Sequence, residues 1–195
     1  MPFHARLPIL TEQEYLNSEM SSPVKREYVA GRVFAMVGVS RAHNLVTMNI
    51  AATLRERLKG GQCKVFVADI RVRVQRAQAY YYPDVVVTCD PEDRDEYQVT
   101  RPVLIVEVLS PATEAIDRRE KLLAYQTLDS LKEYVLVSQE RRRVEVVRRG
   151  EGGSWWQDTI DEADGDAAEV RLESVGVTLT LPQIYEGVAF GRQPN

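Results

Sequence analysis

The chain has 195 residues, 44% of them hydrophobic and 28% charged, with a formal net charge of −4. That length fits one domain, spanning residues 1–195, with a substantial core, and the composition is globular, so disorder is excluded for most of the chain. The mildly acidic balance excludes a global basic field, so any contact with nucleic acid has to come from a local patch.

Met1 to Thr11 lacks a basic region followed by a long apolar stretch, so no signal peptide is expected. Thr11-Glu12-Gln13-Glu14 has the form of a capping box and predicts a helix to about Met20, ended by Ser21-Ser22-Pro23. Glu27 to Val37 reads as a hairpin with Ala30-Gly31-Arg32 as its turn. Ser40 is a candidate N-cap for a helix from Arg41 to about Leu58, in which Val46, Ile50, Leu54 and Leu58 recur at i+4. Cys63 to Val74 alternates and predicts a single half-exposed strand, with Asp69, Arg71 and Arg73 on its charged face. Cys63 and Cys89 stand in no metal-ligand spacing and read as small buried core residues of a reducing compartment, not as a disulfide.

Two apolar strands follow, Val85 to Val87 and Val103 to Leu109, separated by the acidic loop Asp90 to Glu96. Asp117-Arg118-Arg119-Glu120 reads as an N-cap and its N3 partner, opening a helix to about Thr127. With Tyr134 to Val137 as the next strand, the order strand, helix, strand predicts a parallel crossover in the core sheet. Arg143 to Val147 alternates again. Arg143, with Arg141, Arg142, Arg148 and Arg149, reads as an exposed charged edge with phosphate contact as the alternative. Glu151 to Glu173 holds eight acids against one base, around Trp155-Trp156, which are expected to cover the core or an oligomer contact. Val175 to Leu181 and Pro182 to Val188 close the chain as a strand and a short helix. No run approaches the ~18 apolar residues of a membrane span, so a cytoplasmic protein is expected.

The informative anomaly is Glu107, a carboxylate in the middle of the apolar run Val103 to Leu109. Continuous apolar runs belong to strands covered on both faces, where an ionised group must be paired, hydrogen-bonded or bound to metal. Asp84 opens the preceding apolar strand after Pro83. If the two strands pair, their carboxylates converge on one hard divalent cation, Mg²⁺ with Mn²⁺ as a substitute. Lys121 is one of only five lysines in the chain, and Ala124, Tyr125 and Leu128 at i+3, i+4 and i+7 place it on an inward helix face. Two acids and a lysine are the parts of a metal-dependent phosphodiesterase site.

These residues resemble the PD-(D/E)XK nuclease superfamily, and more closely the Uma-two family of restriction endonucleases. The carriers are Arg26 to Arg32, Ala42-His43, Ala68 to Val72, Tyr82 to Val87, Val106 to Pro111 and Asp117 to Lys121 with Tyr125. The resemblance spans roughly Leu10 to Val188. It implies an α/β fold with a restriction-endonuclease-like mixed sheet flanked by helices, extended by an N-terminal hairpin and C-terminal strands. It also implies metal-dependent DNA cleavage, with DNA as the partner. Glu27 matches a family acid, implying a further metal ligand or a positioning carboxylate, and His43 would line the cleft. The superfamily pattern places its lysine two residues after the second acid, where this chain has Leu109. Lys121 would then be a migrated lysine. Double-strand cleavage needs two active sites, so a homodimer is consistent with symmetry. Two other classes compete: a non-catalytic DNA-binding or regulatory protein on the same fold, and a self-associating structural module.

Overall fold

The two apolar runs around Asp84 and Glu107 form the middle of a six-stranded mixed sheet in the computed structural model, which describes residues 9–190. His4 and the start of the chain, where no signal peptide is expected, lie outside the described residues. The elements are α1 (Glu12–Glu19), β1 (Arg26–Val29), β2 (Arg32–Ala35), α2 (Arg41–Arg57), β3 (Lys64–Val67), β4 (Arg71–Val74), β5 (Ala79–Tyr81), β6 (Val85–Thr88), β7 (Gln98–Val99) and β8 (Leu104–Leu109). After β8 come α3 (Glu114–Ile116), a π turn (Asp117–Lys121), α4 (Leu122–Gln126), β9 (Glu133–Ser138), β10 (Arg143–Arg149), β11 (Trp155–Asp161), β12 (Glu169–Leu172), β13 (Val177–Thr180) and α5 (Leu181–Ile184). The central sheet runs β11-β10-β9-β8-β6-β3, a second sheet runs β2-β1-β5-β4-β7, and β12 pairs with β13. No helix among the described residues is long and apolar enough to cross a membrane.

Every residue of β8 is buried, Glu107 included, as the apolar residues on both of its faces require. One face of the central sheet packs Val85, Leu104, Val106 and Val135 against Val46, Ile50 and Leu54 of α2, with β12, β13 and α5 closing that side. The other face packs Val86, Ile105, Leu136 and Tyr134 against Ala124 and Tyr125 of α4 and against Val72, Val74 and Tyr81 of the second sheet. The crossover from β8 through the helix to β9 is parallel, with Glu107 beside Leu136.

Local chemistry explains the elements. Thr11 accepts from the Glu14 amide while Glu14 returns to the Thr11 amide, so the capping box forms. The hairpin turns through Ala30 and Gly31, at φ of 45° and 91°, the two left-handed positions of a tight hairpin turn.

The single strand expected over Cys63 to Val74 is two strands in two sheets. Ala68 takes φ 44° between them and donates its amide to the Asp84 carbonyl at 3.2 Å. β5 and β6 change sheets at the same corner, through Tyr82 to Asp84. Val67 pairs with Val85 and Val72 with Tyr81, so residues 68–71 lie opposite 82–84, a one-residue bulge. The alternation of side chains survives the bend, which is why periodicity alone joined the two strands.

Two further expectations are corrected. Cys63 and Cys89 form a disulfide across β3 and β6, because the register that pairs Lys64 with Thr88 sets them opposite one another. The argument for a reducing compartment from free thiols therefore falls. Alkylation of the unreduced protein should label neither cysteine, and labelling of both would show that the bridge is not formed. Asp117 is not an N-cap: the helix starts earlier, at Glu114, and Asp117 is buried in the π turn.

Candidate functional site

The sheet-switching corner and the middle of β8 bring the site together. Val85 pairs with Val106, which sets Asp84 opposite Glu107 on the antiparallel neighbour. Asp84 Oδ2 accepts the Val108 amide at 2.7 Å, so the backbone of the strand that carries Glu107 also fixes the other acid. Asp84 Oδ1 lies 2.7 Å from His43 Nε2. Ser40 caps α2 as expected and accepts the His43 amide at 3.0 Å, which aims the first helical turn at the corner. The His43 ring is buried, and its Nδ1 has no hydrogen-bond partner among the described residues.

Glu107 is 4% exposed. Its Oε1 accepts from Lys121 Nζ at 3.1 Å and from the Tyr125 hydroxyl at 3.2 Å. Lys121 is 6% exposed and also pairs with Glu27 Oε1 at 3.0 Å and Asp117 Oδ1 at 3.1 Å. Lysine thus enters from the helix to meet the acid on β8, fourteen residues away in sequence. The π turn carries both Asp117 and Lys121; such turns within helices recur at functional sites. Glu27 arrives from β1. Its basic neighbours in sequence turn to other acids: Lys25 pairs with Asp69, and Arg26 with Glu19. Asp69 is exposed at the corner and takes no part in the site.

Burial pushes the Glu107 carboxyl well above the usual carboxylate range, with Asp117, Asp84 and Glu27 adding to the rise and Lys121 opposing it. Burial alone would lower Lys121, but Glu107, Glu27 and Asp117 outweigh it and hold the ammonium protonated. These two directions pull apart, since Lys121 gains from a Glu107 that is ionised. The three ion pairs converging on one ammonium decide in favour of a charged Lys121. Burial, then Glu107, raises the Tyr125 hydroxyl, so it stays a donor to the carboxylate.

The structure brings together all five sequence candidates, Asp84, Glu107, Lys121, Glu27 and His43. Two further members are not marked as site residues by the sequence. Asp117, which reads as a cap, pairs with Lys121 at i,i+4 spacing. Tyr125, on the inward helix face, donates its hydroxyl to Glu107. Among the described residues no group of three or more His, Cys, Asp and Glu side chains could by itself hold a metal ion. A hard cation nonetheless suits Asp84 and Glu107, which are oxygen donors in a cluster where carboxylates outnumber ammonium groups. Mg²⁺ takes one or two carboxylates and completes its shell with water and phosphate.

The charged edge expected around Arg143 to Arg149 is mostly internal. Arg148 is buried against Glu133 at 2.9 Å, and Arg149 donates to the Gln126 carbonyl at the end of α4 and to the Leu128 and Leu131 carbonyls beyond it. Arg118 grips Glu145 with two nitrogens, at 2.6 and 3.1 Å, and Arg143 joins it. Burial favours protonation of Glu145, but these guanidiniums outweigh it and hold the carboxyl below its usual range. Trp155 and Trp156 lie under Arg149 and Arg148, with ring centroids 4.6 and 5.0 Å away.

Comparison with known proteins bears on the family and the fold. Residues 12–182 match the model of the Uma2 family, described as "Putative restriction endonuclease". Two uncharacterized proteins of Synechocystis sp. (strain ATCC 27184 / PCC 6803 / Kazusa) are similar along most of their length. One, slr1290, is 35% identical over 95% of this chain and 96% of its own; the other, sll1609, is 33% identical over 86% and 95%. The crystal structure of a "putative nuclease belonging to DUF820" from Anabaena variabilis ATCC 29413 superposes with a TM-score of 0.71 at 16% identity, covering 90% of this chain and 97% of that one. That likeness extends to the fold.

Proposed function

The chain belongs to the Uma2 family, and on that premise we propose that it is a Mg²⁺-dependent endonuclease that hydrolyses phosphodiester bonds in DNA. The observation that carries the reading is the pairing of Asp84 with Glu107 on adjacent strands, with Lys121 buried against Glu107. Asp84 and Glu107 would hold Mg²⁺, or Mn²⁺ in its place. When bound, the ion polarises the scissile phosphate and acidifies the attacking water. The chain's own residues do the rest. The Val108 amide and His43 orient Asp84, and Tyr125 orients Glu107. Lys121 holds water or offsets the negative charge that grows as phosphorus becomes five-coordinate. Glu27 and Asp117 fix the ammonium in place. A second copy of the chain would supply the second site that double-strand cleavage needs.

One observation favours a second reading, a catalytically inactive nuclease fold that binds DNA or regulates. Lys121 makes ion pairs with three of the carboxylates, Glu27, Glu107 and Asp117, and so competes with a cation for their oxygens. Calorimetry separates the two. Mg²⁺ or Mn²⁺ should bind with heat that vanishes in Asp84→Asn and in Glu107→Gln while both variants keep the parental fold. Parental affinity in those variants would put the ion elsewhere, and no binding by the parent would favour the inactive reading. Cleavage is then assayed on plasmid and single-stranded DNA with each metal.

A further inference from the structure

The segment from Arg32 to Arg41 links two elements that carry site residues, β1 and α2. It leaves the hairpin beside Glu27 and ends in the first turn of α2, where His43 meets Asp84. Phe34 is the direct cross-strand partner of Glu27. Opposed residues on an antiparallel pair share a face, with Cβ atoms about 5 Å apart. Glu27 points to Lys121, so Phe34 lies on the site's side of the sheet, and Arg32 and Met36 share that face by alternation. Val33 faces the other way, into the tyrosine cluster under α1.

Four apolar side chains stand exposed here in succession: Phe34 at 49%, Met36 at 39%, Val37 at 67% and Val39 at 57%. Exposed apolar residues that are contiguous, not scattered, mark a contact surface. No acid interrupts Arg32 to Arg41. Arg32 and Arg41, at its two ends, are exposed and make no ion pair among the described residues. An apolar stretch between two unpaired guanidiniums matches a ligand with flat apolar groups on a polyanionic backbone.

We infer that residues 32–41 hold a DNA strand whose bases are unpaired next to the scissile phosphate, with Phe34 stacking on a base and Arg32 and Arg41 on flanking phosphates. This rests on the nuclease reading and narrows its substrate. A phosphate on the cation that Asp84 and Glu107 would hold lies on the side of Lys121 and Glu27, the face of the hairpin that also carries Phe34. In an intact duplex the base faces are covered by their neighbours; in a single strand they are open to an aromatic ring. The apolar side chains can also wedge between bases that have come apart.

The test is fluorescence anisotropy with a labelled single-stranded oligonucleotide and its blunt duplex, in EDTA and in Ca²⁺, over a range of salt. The parent should prefer the single strand. Phe34→Ala should weaken single-strand binding about tenfold, the scale of one lost base–aromatic stack, and change duplex binding by less than about twofold. Phe34→Trp should restore it. Arg32→Gln and Arg41→Gln should each lower the slope of log affinity against log salt by about 0.7, the loss of one single-strand phosphate contact. Metal binding should be parental in all four variants. Equal single-strand affinity in Phe34→Ala, or an equal loss for duplex, overturns the inference and leaves the nuclease reading standing. If Phe34→Ala turns a dimer into a monomer with DNA affinity unchanged, the segment is a subunit contact and the inference also falls. A parent that binds metal but neither form of DNA overturns the inference and the nuclease reading together.

Discussion

Lys121→Ala should cut DNA cleavage by about 10²-fold or more, the scale of a lost positioned catalytic group, while Mg²⁺ affinity stays level or rises. The reason lies in the charge inventory. The ammonium cannot ligate a cation, and it shares the oxygens of Glu107 with whatever binds there. Its loss leaves Glu27, Glu107 and Asp117 without their common counter-ion. The metal-free variant should therefore lose about 3–5 kcal/mol of stability, the effect of breaking a buried ion pair from one side, and added Mg²⁺ should recover part of it. The pH dependence follows from Glu107, whose folded-state carboxyl is raised by burial. Above about pH 4.3, where an unfolded glutamate ionises, the native state holds the extra proton, so stability falls as pH rises towards the folded value. Without Lys121 to oppose the rise, that window widens, so the variant's deficit should be largest near neutral pH and shrink on acidification. Lys121→Arg should rescue turnover poorly, because a planar fork does not replace a compact charge at the same reach. Parental turnover in Lys121→Ala would reduce Lys121 to a structural cation.

The core was legible because its signal is redundant. Leu104 to Leu109 could only be a strand covered on both faces, and the helix between it and Tyr134 to Val137 dictated a parallel crossover. The hairpin, both N-caps on α1 and α2, and the short closing helix follow from turn and capping chemistry that is local. What escaped is set by long-range geometry. Ala68 carries no sequence mark of a left-handed residue, since it is neither Gly nor Asn, yet the exchange of β3–β4 and β5–β6 between sheets turns on it. The disulfide depends on the β3–β6 register, which spacing between Cys63 and Cys89 does not encode.

The candidate site shows the same division. Asp84, Glu107 and Lys121 are conspicuous because each is a charge among apolar neighbours, and such misfits need a partner. Their mutual arrangement follows from strand pairing and a helix face, two regular geometries. Asp117 was misread because an acid before Arg-Arg-Glu satisfies the pattern of a cap, while the helix had already begun at Glu114. The π turn that swings Asp117 inward has no sequence rule. The arginines after residue 140 were misread because a charged alternating strand looks the same whether its charges meet solvent or buried acids such as Glu133 and Glu145.

Arg148 provides the sharpest test of that correction. As an exposed edge residue its removal would leave stability nearly unchanged, and as a phosphate contact it would weaken DNA binding. In the structure it is 5% exposed against Glu133 at 1%, and it also reaches Asp158 and the Arg171 carbonyl, tying β9, β10, β11 and β12 together. Arg148→Met should therefore lower unfolding free energy by about 3–5 kcal/mol, because Glu133 is left charged and buried. The Glu173 and Ser174 amides and the Ser174 hydroxyl still donate to Glu133, which puts the expected loss at the lower end of that range. The double variant Arg148→Met, Glu133→Gln should recover much of the loss, since the uncompensated charge is gone. DNA affinity and turnover per folded molecule should match the parent in both variants. Parental stability combined with weaker DNA binding in Arg148→Met would return this arginine to the nucleic-acid surface.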